Sequence, residues 1–311
     1  MSLAAFVLRR VLWAIPIVLL VMLVTFALMR GAGGTPFRPP EGTAALPLPL
    51  QKKLSEFYHL DEPWFVEFAF YAKNVFTLHF GPSLVSRYTS VDDVIRQAFP
   101  VTIELILLAA AWAIPLGILL GLLAAAHRAS PVDHLATSTA TVALVVPVFF
   151  VTYVFSRYLV YEWDLFPLGW ETWQSKILPV FVLGLAPLGY TARLVRGAAV
   201  EALQSDYVRT ARAKGLRRTR IVGAHVLRNS ATPLLSAVPP MLALLVTGAL
   251  FVEGAFGVPG VSAVFLNAAR ARDYPMILGL TVVLTVLVLF VNLVADVVAA
   301  ILDPRIREER A

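Results

Sequence analysis

The sequence predicts an all-α membrane protein with six transmembrane helices and a small external helical region between the first two. Three observations lead there. Five long runs carry no Asp, Glu, Lys or Arg; the basic residues fall in alternate connecting segments; and the 15% charged composition is too low for a soluble chain that is 59% hydrophobic.

The first span comes from residues 11–29, within an N-terminal segment 1–30. Its apolar run exceeds the roughly 7–15 residues of a signal peptide, so it is expected to stay as a span although "RGAGG" follows. Residues 31–97 are expected outside. They open with "GAGGTPFRPPEGT", whose Gly and Pro predict an extended connection over 31–50. From Gln51 to about Ala98 the pattern becomes amphipathic, and Phe65, Phe68, Ala69 and Ala72 recur at helical spacing.

The core, residues 98–311, supplies the other five spans. Residues 105–126, 135–156, 231–252 and 276–295 each reach 20 to 22 residues, enough to cross about 30 Å of hydrocarbon at about 20 residues per span. The stretch "ILPVFVLGLAPLGYTA", residues 177–192, is shorter and reaches span length with its flanks. Pro115, Pro147, Pro187, Pro239 and Pro240 fall inside spans as kinks, fixed or moving. Gly117 and Gly121 form a small-xxx-small pair suited to close helix approach.

Orientation follows from Lys and Arg. Segments 1–10, 127–134, 193–230 and 303–311 hold fifteen of them, whereas 157–176 and 253–275 hold four. Short cytoplasmic loops carry that excess, which places both termini in the cytoplasm. The net charge of +6 then reflects topology, and no nucleic-acid partner is expected. Two acidic residues lie within the spans as drawn: Glu104, near the start of its run, and Asp296, near the inner end of the last. Intramembrane carboxylates are candidate functional sites; structural pairing is the simpler reading of both.

Enzymatic signatures are missing. The chain has no Gly-Lys dipeptide and hence no GxxxxGK[ST] phosphate loop, no HExxH pair and no GxSxG elbow. Its five histidines are scattered and it has no cysteine. Neither a metal nor a cofactor is expected in this chain. If the chain drives anything, the energy must come from a partner.

One basic segment stands out, "DYVRTARAKGL" at residues 206–216. Ser205 or Asp206 can cap a helix start, and Gly215 suits the left-handed position past its end. About nine residues lie between, roughly 13 Å of helix. Tyr207, Val208 and Ala211 are expected on one face and Arg209, Arg212 and Lys214 on the others. So short a helix is marginal alone, so it must be braced. A loop resting on anionic membrane lipid would explain its arginines, but not a capped helix with small side chains.

"DYVRTARAKGL" followed by "HVLRN" resembles the cytoplasmic coupling loop of ABC-importer permeases, in particular the dipeptide, oligopeptide and nickel branch. Gly215 takes the family glycine place and Leu227 the leucine place twelve residues later. Arg209 and Thr210 stand where the general pattern has Glu and Ala, and Arg228 replaces its proline. The peptide branch commonly reads Arg-Thr-Ala-Arg-Ala-Lys-Gly and His-x-Leu-Arg-Asn. The opening "FVLRRVLWAIPIVLLVMLVTF", the external "LDEPWFVEFAFYAKNV", "ARDYPMILG" and "VNLVADVVAAILDPRIR" are similar to that branch as well. "EGAFGVPGVSAV" departs, lacking the bulky pair after Glu253 and carrying Val261-Ser262 where Leu-Gly is usual.

The resemblance implies a type I ABC importer fold and the first, or B-type, permease of a heterodimeric pore in a prokaryotic plasma membrane. Implied partners are a second permease, two ATP-binding subunits holding ATP and Mg, and an external substrate-binding protein. Asp206, Tyr207, Arg209, Thr210, Ala211, Arg212, Ala213, Lys214, Gly215 and Leu216 would form the coupling helix, within a loop of about 197–230. Tyr207, Ala211 and Gly215 would shape its contact; Arg209, Arg212 and Lys214 would add ionic contacts. Peptides are the expected cargo, with nickel chelates or short sugars as alternatives. A stand-alone secondary transporter should carry midplane charges, and a membrane enzyme should carry a catalytic constellation.

Overall fold

The computed structural model describes residues 3–31, 37, 46–85, 89–217 and 220–302; within these the side chains of 224–225, 227–233, 235–236, 238–240, 242–243, 295, 298–300 and 302 are outside the description. The elements are α1 (Leu3–Gly31), α2 (Leu48–Tyr58), α3 (Trp64–Thr77), α4 (Val91–Ala126), α5 (Pro131–Val145), α6 (Val148–Phe155), α7 (Trp173–Leu203), α8 (Asp206–Ala213), α9 (Leu227–Phe256), α10 (Val261–Ala271) and α11 (Tyr274–Leu302). π-Helical turns, Ser156–Glu162 and Ile221–Val226, follow α6 and precede α9. No strand occurs among the described residues.

Among the described residues four helices are long and apolar enough to cross a membrane: α1, α4, α7 and the Tyr274–Val294 part of α11. Two broken pairs, α5 with α6 and its π-turn, and the end of α9 with α10, bring the number to six if each counts as one span. The expected continuous span at 135–156 is therefore corrected: α5 and the segment after it meet at 92°. Pro147 is the cause. A proline disfavours helical backbone at the residue before it, and Val146 is extended (φ −68°, ψ 122°), so α5 stops and α6 restarts after Pro147.

The chain divides into two compact units. One contains Glu104–Phe256 together with the two chain ends, and the other Ala4–Ile103 with Gly257–Phe290. In the first, α7 is the central helix, packed by α5, α6 and α9. Over half of its spanning window is buried, against about a sixth for α1. Gly121 sits where α4 meets α7: a Cβ there would lie 2.6 Å from the Ala192 carbonyl oxygen. The small-xxx-small pair thus works as a packing contact, since only glycine lets the two backbones come so near.

The second unit has a core of Met22, Phe26, Tyr58, Tyr71, Leu84, Val91 and Leu280 among others. The fully buried Tyr58 sends its hydroxyl to the Pro82 carbonyl at 2.5 Å. Asp273 is buried and accepts from Ser83 Oγ at 2.5 Å and from the Leu84 amide at 3.1 Å. Burial pushes its carboxyl above the usual range, partly offset by those hydrogen bonds. In α3 the buried side is Glu67 and Tyr71, an i, i+4 pair, while Phe65 and Ala69 are exposed. Of the four residues at helical spacing, Phe68 and Ala72 pack against this core, and Phe65 and Ala69 do not.

α4 begins at Val91, so the expected boundary at 97/98 falls inside a helix. The expected extended connection over 31–50 lies mostly outside the described residues, apart from the start of α2.

Candidate functional site

The basic segment folds as the eight-residue helix α8, slightly shorter than expected. Ser205 holds the N-cap position with extended backbone (φ −72°, ψ 156°) but makes no side-chain cap. Its hydroxyl donates to the Ala202 carbonyl at 2.5 Å instead. The expected Ser205 cap is therefore corrected: the preceding turn competes for the same hydroxyl. Asp206 stands in the first turn, where the helix dipole favours a carboxylate.

The C-terminus is well defined. Gly215 has φ +76°. Its amide donates to the Arg212 carbonyl at 2.9 Å, and the Leu216 amide to the Ala211 carbonyl at 3.2 Å. This is the paired-bond glycine C-cap, in which a left-handed residue turns the chain back onto orphan carbonyls. No heavy atom lies within 4 Å of a Cβ built on Gly215. The glycine is required by its backbone angle and not by crowding.

Val208 and Ala211 are buried, joining Ala125 of α4, Ala199 of α7 and Ile221 and Val226 of the π-turn in one apolar cluster. Leu122, Leu203 and Leu216 pack around it. Full burial of a valine contributes about 1.5–3 kcal/mol, so Val208 is the anchor of the helix. Tyr207 is 40% exposed, against the expectation that it shares the Val208 face. One residue is about 100° of helix rotation, and i, i+3 spacing puts Ala211, not Tyr207, beside Val208. Ala211 faces inward and is unavailable for an external contact.

Asp206, Tyr207, Arg209, Thr210, Arg212, Ala213, Lys214 and Gly215 are exposed. Arg209 Nη1 approaches Asp206 Oδ1 at 3.3 Å with both side chains in solvent, so the pair contributes little. Thr210 Oγ1 donates to the Asp206 carbonyl at 3.0 Å. Beside the helix a cleft of about 440 Å³ is bordered by His127, Arg128, Ser130, Gln204 and Arg212. The exposed side is thus basic, and the buried side is locked to the ends of α4 and α7. Side chains of 225 and 227–229, including the Leu227 and Arg228 places, lie outside the described residues, as does 303–311.

Glu104 and Asp296 lie outside α8, in α4 and α11. Because α4 starts at Val91, Glu104 lies within that helix and not near its start, so no helix-end dipole favours it. Its carboxylate instead accepts from Lys176 Nζ at 2.6 Å and Trp170 Nε1 at 2.9 Å. Asp296 is half-buried in α11. The helices also outrun the charge-free runs, which brings the fully buried Glu253 inside α9. Asp133, at the start of α5, is held by Arg196 of α7. Sequence reading singled out neither, having assigned Asp133 and Glu253 to the connecting segments 127–134 and 253–275.

Residues 117–308 match the family model described as binding-protein-dependent transport system inner membrane component. The dipeptide transport system permease protein of Bacillus subtilis is 36% identical over 95% of this chain and 96% of its own length. The oligopeptide transport system permease proteins of Haemophilus influenzae and Escherichia coli are each 35% identical, over 97% of this chain and 99% of theirs. A solved chain of the MetNI methionine ABC transporter, in inward-facing conformations, has a TM-score of 0.50 at 16% identity, covering 67% of this chain and 94% of that one. That likeness is one of fold.

Proposed function

Because this chain belongs to the family of binding-protein-dependent transport system inner membrane components, we propose that it is one permease of an ATP-driven importer, forming half of a translocation pore for peptides. The observation that carries the cargo is its 35–36% identity, over nearly the full length, to dipeptide and oligopeptide permeases. The chain sits in a prokaryotic plasma membrane with both termini in the cytoplasm. It works with a second permease, two ATP-binding subunits and an external binding protein; ATP and Mg belong to the ATP-binding subunits.

The geometry of α8 supports this division of labour. A cytoplasmic motor needs a rigid handle, and Val208 and Ala211 fasten α8 to α4, α7 and the π-turn before α9. Force applied to the exposed face reaches all three together. Tyr207, Arg209, Arg212 and Lys214 offer the surface a motor subunit grips, while Gly215 fixes where the handle ends. Glu104 and Asp296 have structural pairing as their role, which for Glu104 accords with its two short contacts.

The test is reconstitution of the chain with its second permease, ATP-binding subunits and binding protein in vesicles. Labelled di- and oligopeptides should accumulate only with all components and ATP. Uptake of nickel chelates or short sugars in place of peptides would overturn the cargo, and ATP-independent uptake by the chain alone would overturn the importer reading.

A further inference from the structure

At the far end of α1 a cavity of about 240 Å³ is lined by Phe26, Met29, Arg30, Glu67, Tyr71 and Tyr274, with Leu60 beside them. One water needs about 10–15 Å³ and a drug-sized ligand about 300 Å³ or more, so the space suits a small polar group. Glu67 is nearly fully buried; its Oε2 accepts from Arg30 Nη1 at 2.5 Å, and Arg30 is half exposed. The Tyr71 ring is buried, and its hydroxyl is buried without a hydrogen-bond partner. A buried hydroxyl left in that state is destabilising, and such groups are seldom left unmatched in a folded protein.

The polar groups are arranged by depth. Carboxylate, phenol and aromatic rings, all able to receive a primary ammonium, lie inside. The guanidinium, whose remaining N–H donors suit a phosphate, is the half-exposed group. Burial pushes the Glu67 carboxyl above its usual range against the opposing pull of Arg30. The cavity lies at the end of α1, a span whose Leu20, Val24 and Leu28 are exposed apolar surface on the side away from Phe26, Met29 and Arg30; the end of a lipid-facing span is the depth of lipid headgroups.

We propose that this cavity binds the headgroup of an aminophospholipid, its ammonium on Glu67 and the Tyr71 hydroxyl and its phosphate on Arg30. The inference depends on the chain spanning a membrane and not on its cargo. The site would tie the end of α1 to α3 through lipid.

The experiment is lipid retention by the full-length chain, measured by native mass spectrometry. Phosphatidylethanolamine is offered against phosphatidylcholine and phosphatidylglycerol of the same acyl chains. Preferential retention of phosphatidylethanolamine is expected. Glu67→Gln should weaken that preference about tenfold, the effect of losing a charged hydrogen bond. Tyr71→Phe, which removes one oxygen without disturbing the ion pair, should weaken it about two- to fivefold and keeps the test open if Glu67→Gln folds poorly. Equal retention of the three lipids, or a preference unchanged in Tyr71→Phe, would overturn the assignment. Displacement of lipid by free phosphoethanolamine or by Ala-Ala at similar concentrations would overturn it too, by making the occupant a soluble zwitterion.

Discussion

Asp133 and Arg196 meet as a two-point ion pair, with Nε 2.6 Å from Oδ1 and Nη2 2.9 Å from Oδ2. The carboxylate is almost fully buried, also accepting from the Ala129 amide and Thr137, while the Arg196 side chain stays about a third exposed. The asymmetry sets an order among variants. Arg196→Gln leaves a buried charge without its partner and should cost about 3 kcal/mol, the lower end for such losses. Asp133→Asn leaves a guanidinium that can reach water and should cost less. The double variant should recover part of the loss. Thermal unfolding of the purified chain checks this, and a smaller loss for Arg196→Gln than for Asp133→Asn would contradict it.

Gly215 carries the second prediction. Its φ of +76° with open space around it makes the cost of a side chain one of backbone alone. Gly215→Val should introduce about 1–2 kcal/mol of local strain, and Gly215→Asn, which tolerates left-handed backbone, should introduce less. In the reconstituted importer, Gly215→Val should insert normally but lose ATPase association or coupling. Coupling equal in the native, Asn and Val proteins would show that the end of α8 is not part of the contact.

The contact of Asp273 with Ser83 predicts a pH dependence. Its carboxyl is raised by burial, so the folded state holds the proton more tightly than the unfolded one. That contribution to stability is full below the ordinary Asp range, and is lost as pH rises through the raised folded value. Protection of residues 80–85 against amide exchange, corrected for intrinsic rates, should therefore fall as pH climbs through that window. Asp273→Asn, able to keep both hydrogen bonds without a charge, should flatten the slope. A slope unchanged in Asp273→Asn would assign it to another group.

Topology gives the last prediction. The chain has no native cysteine, and Lys53 and Lys214 are both exposed. Cysteines placed singly at these positions should label from opposite faces of the membrane with an impermeant reagent, position 214 from the cytoplasmic side. Labelling of both from one side would refute the orientation drawn from Lys and Arg.

Which properties were legible in the chain follows from the range of the physics involved. Charge-free runs, the basic-residue asymmetry, the absence of a phosphate loop and the left-handed end at Gly215 are local: span length and backbone sterics act over a few residues or one turn. Local physics in the sequence therefore determined a multi-span membrane chain with a short helix ended by Gly215 in its basic loop, and the resemblance of that loop supplied the permease reading. Tertiary structure decided the rest. It buried Val208 and left Tyr207 in solvent because α4, α7 and the π-turn meet on only one side of α8. It paired Glu104 with Lys176 and Trp170, which lie far along the chain, and it turned Pro147 from a kink into a 92° break. Glu67 and Asp273 became buried carboxylates for the same reason. Desolvation and ion pairing depend on which distant surfaces close over a group, and no local spacing encodes that.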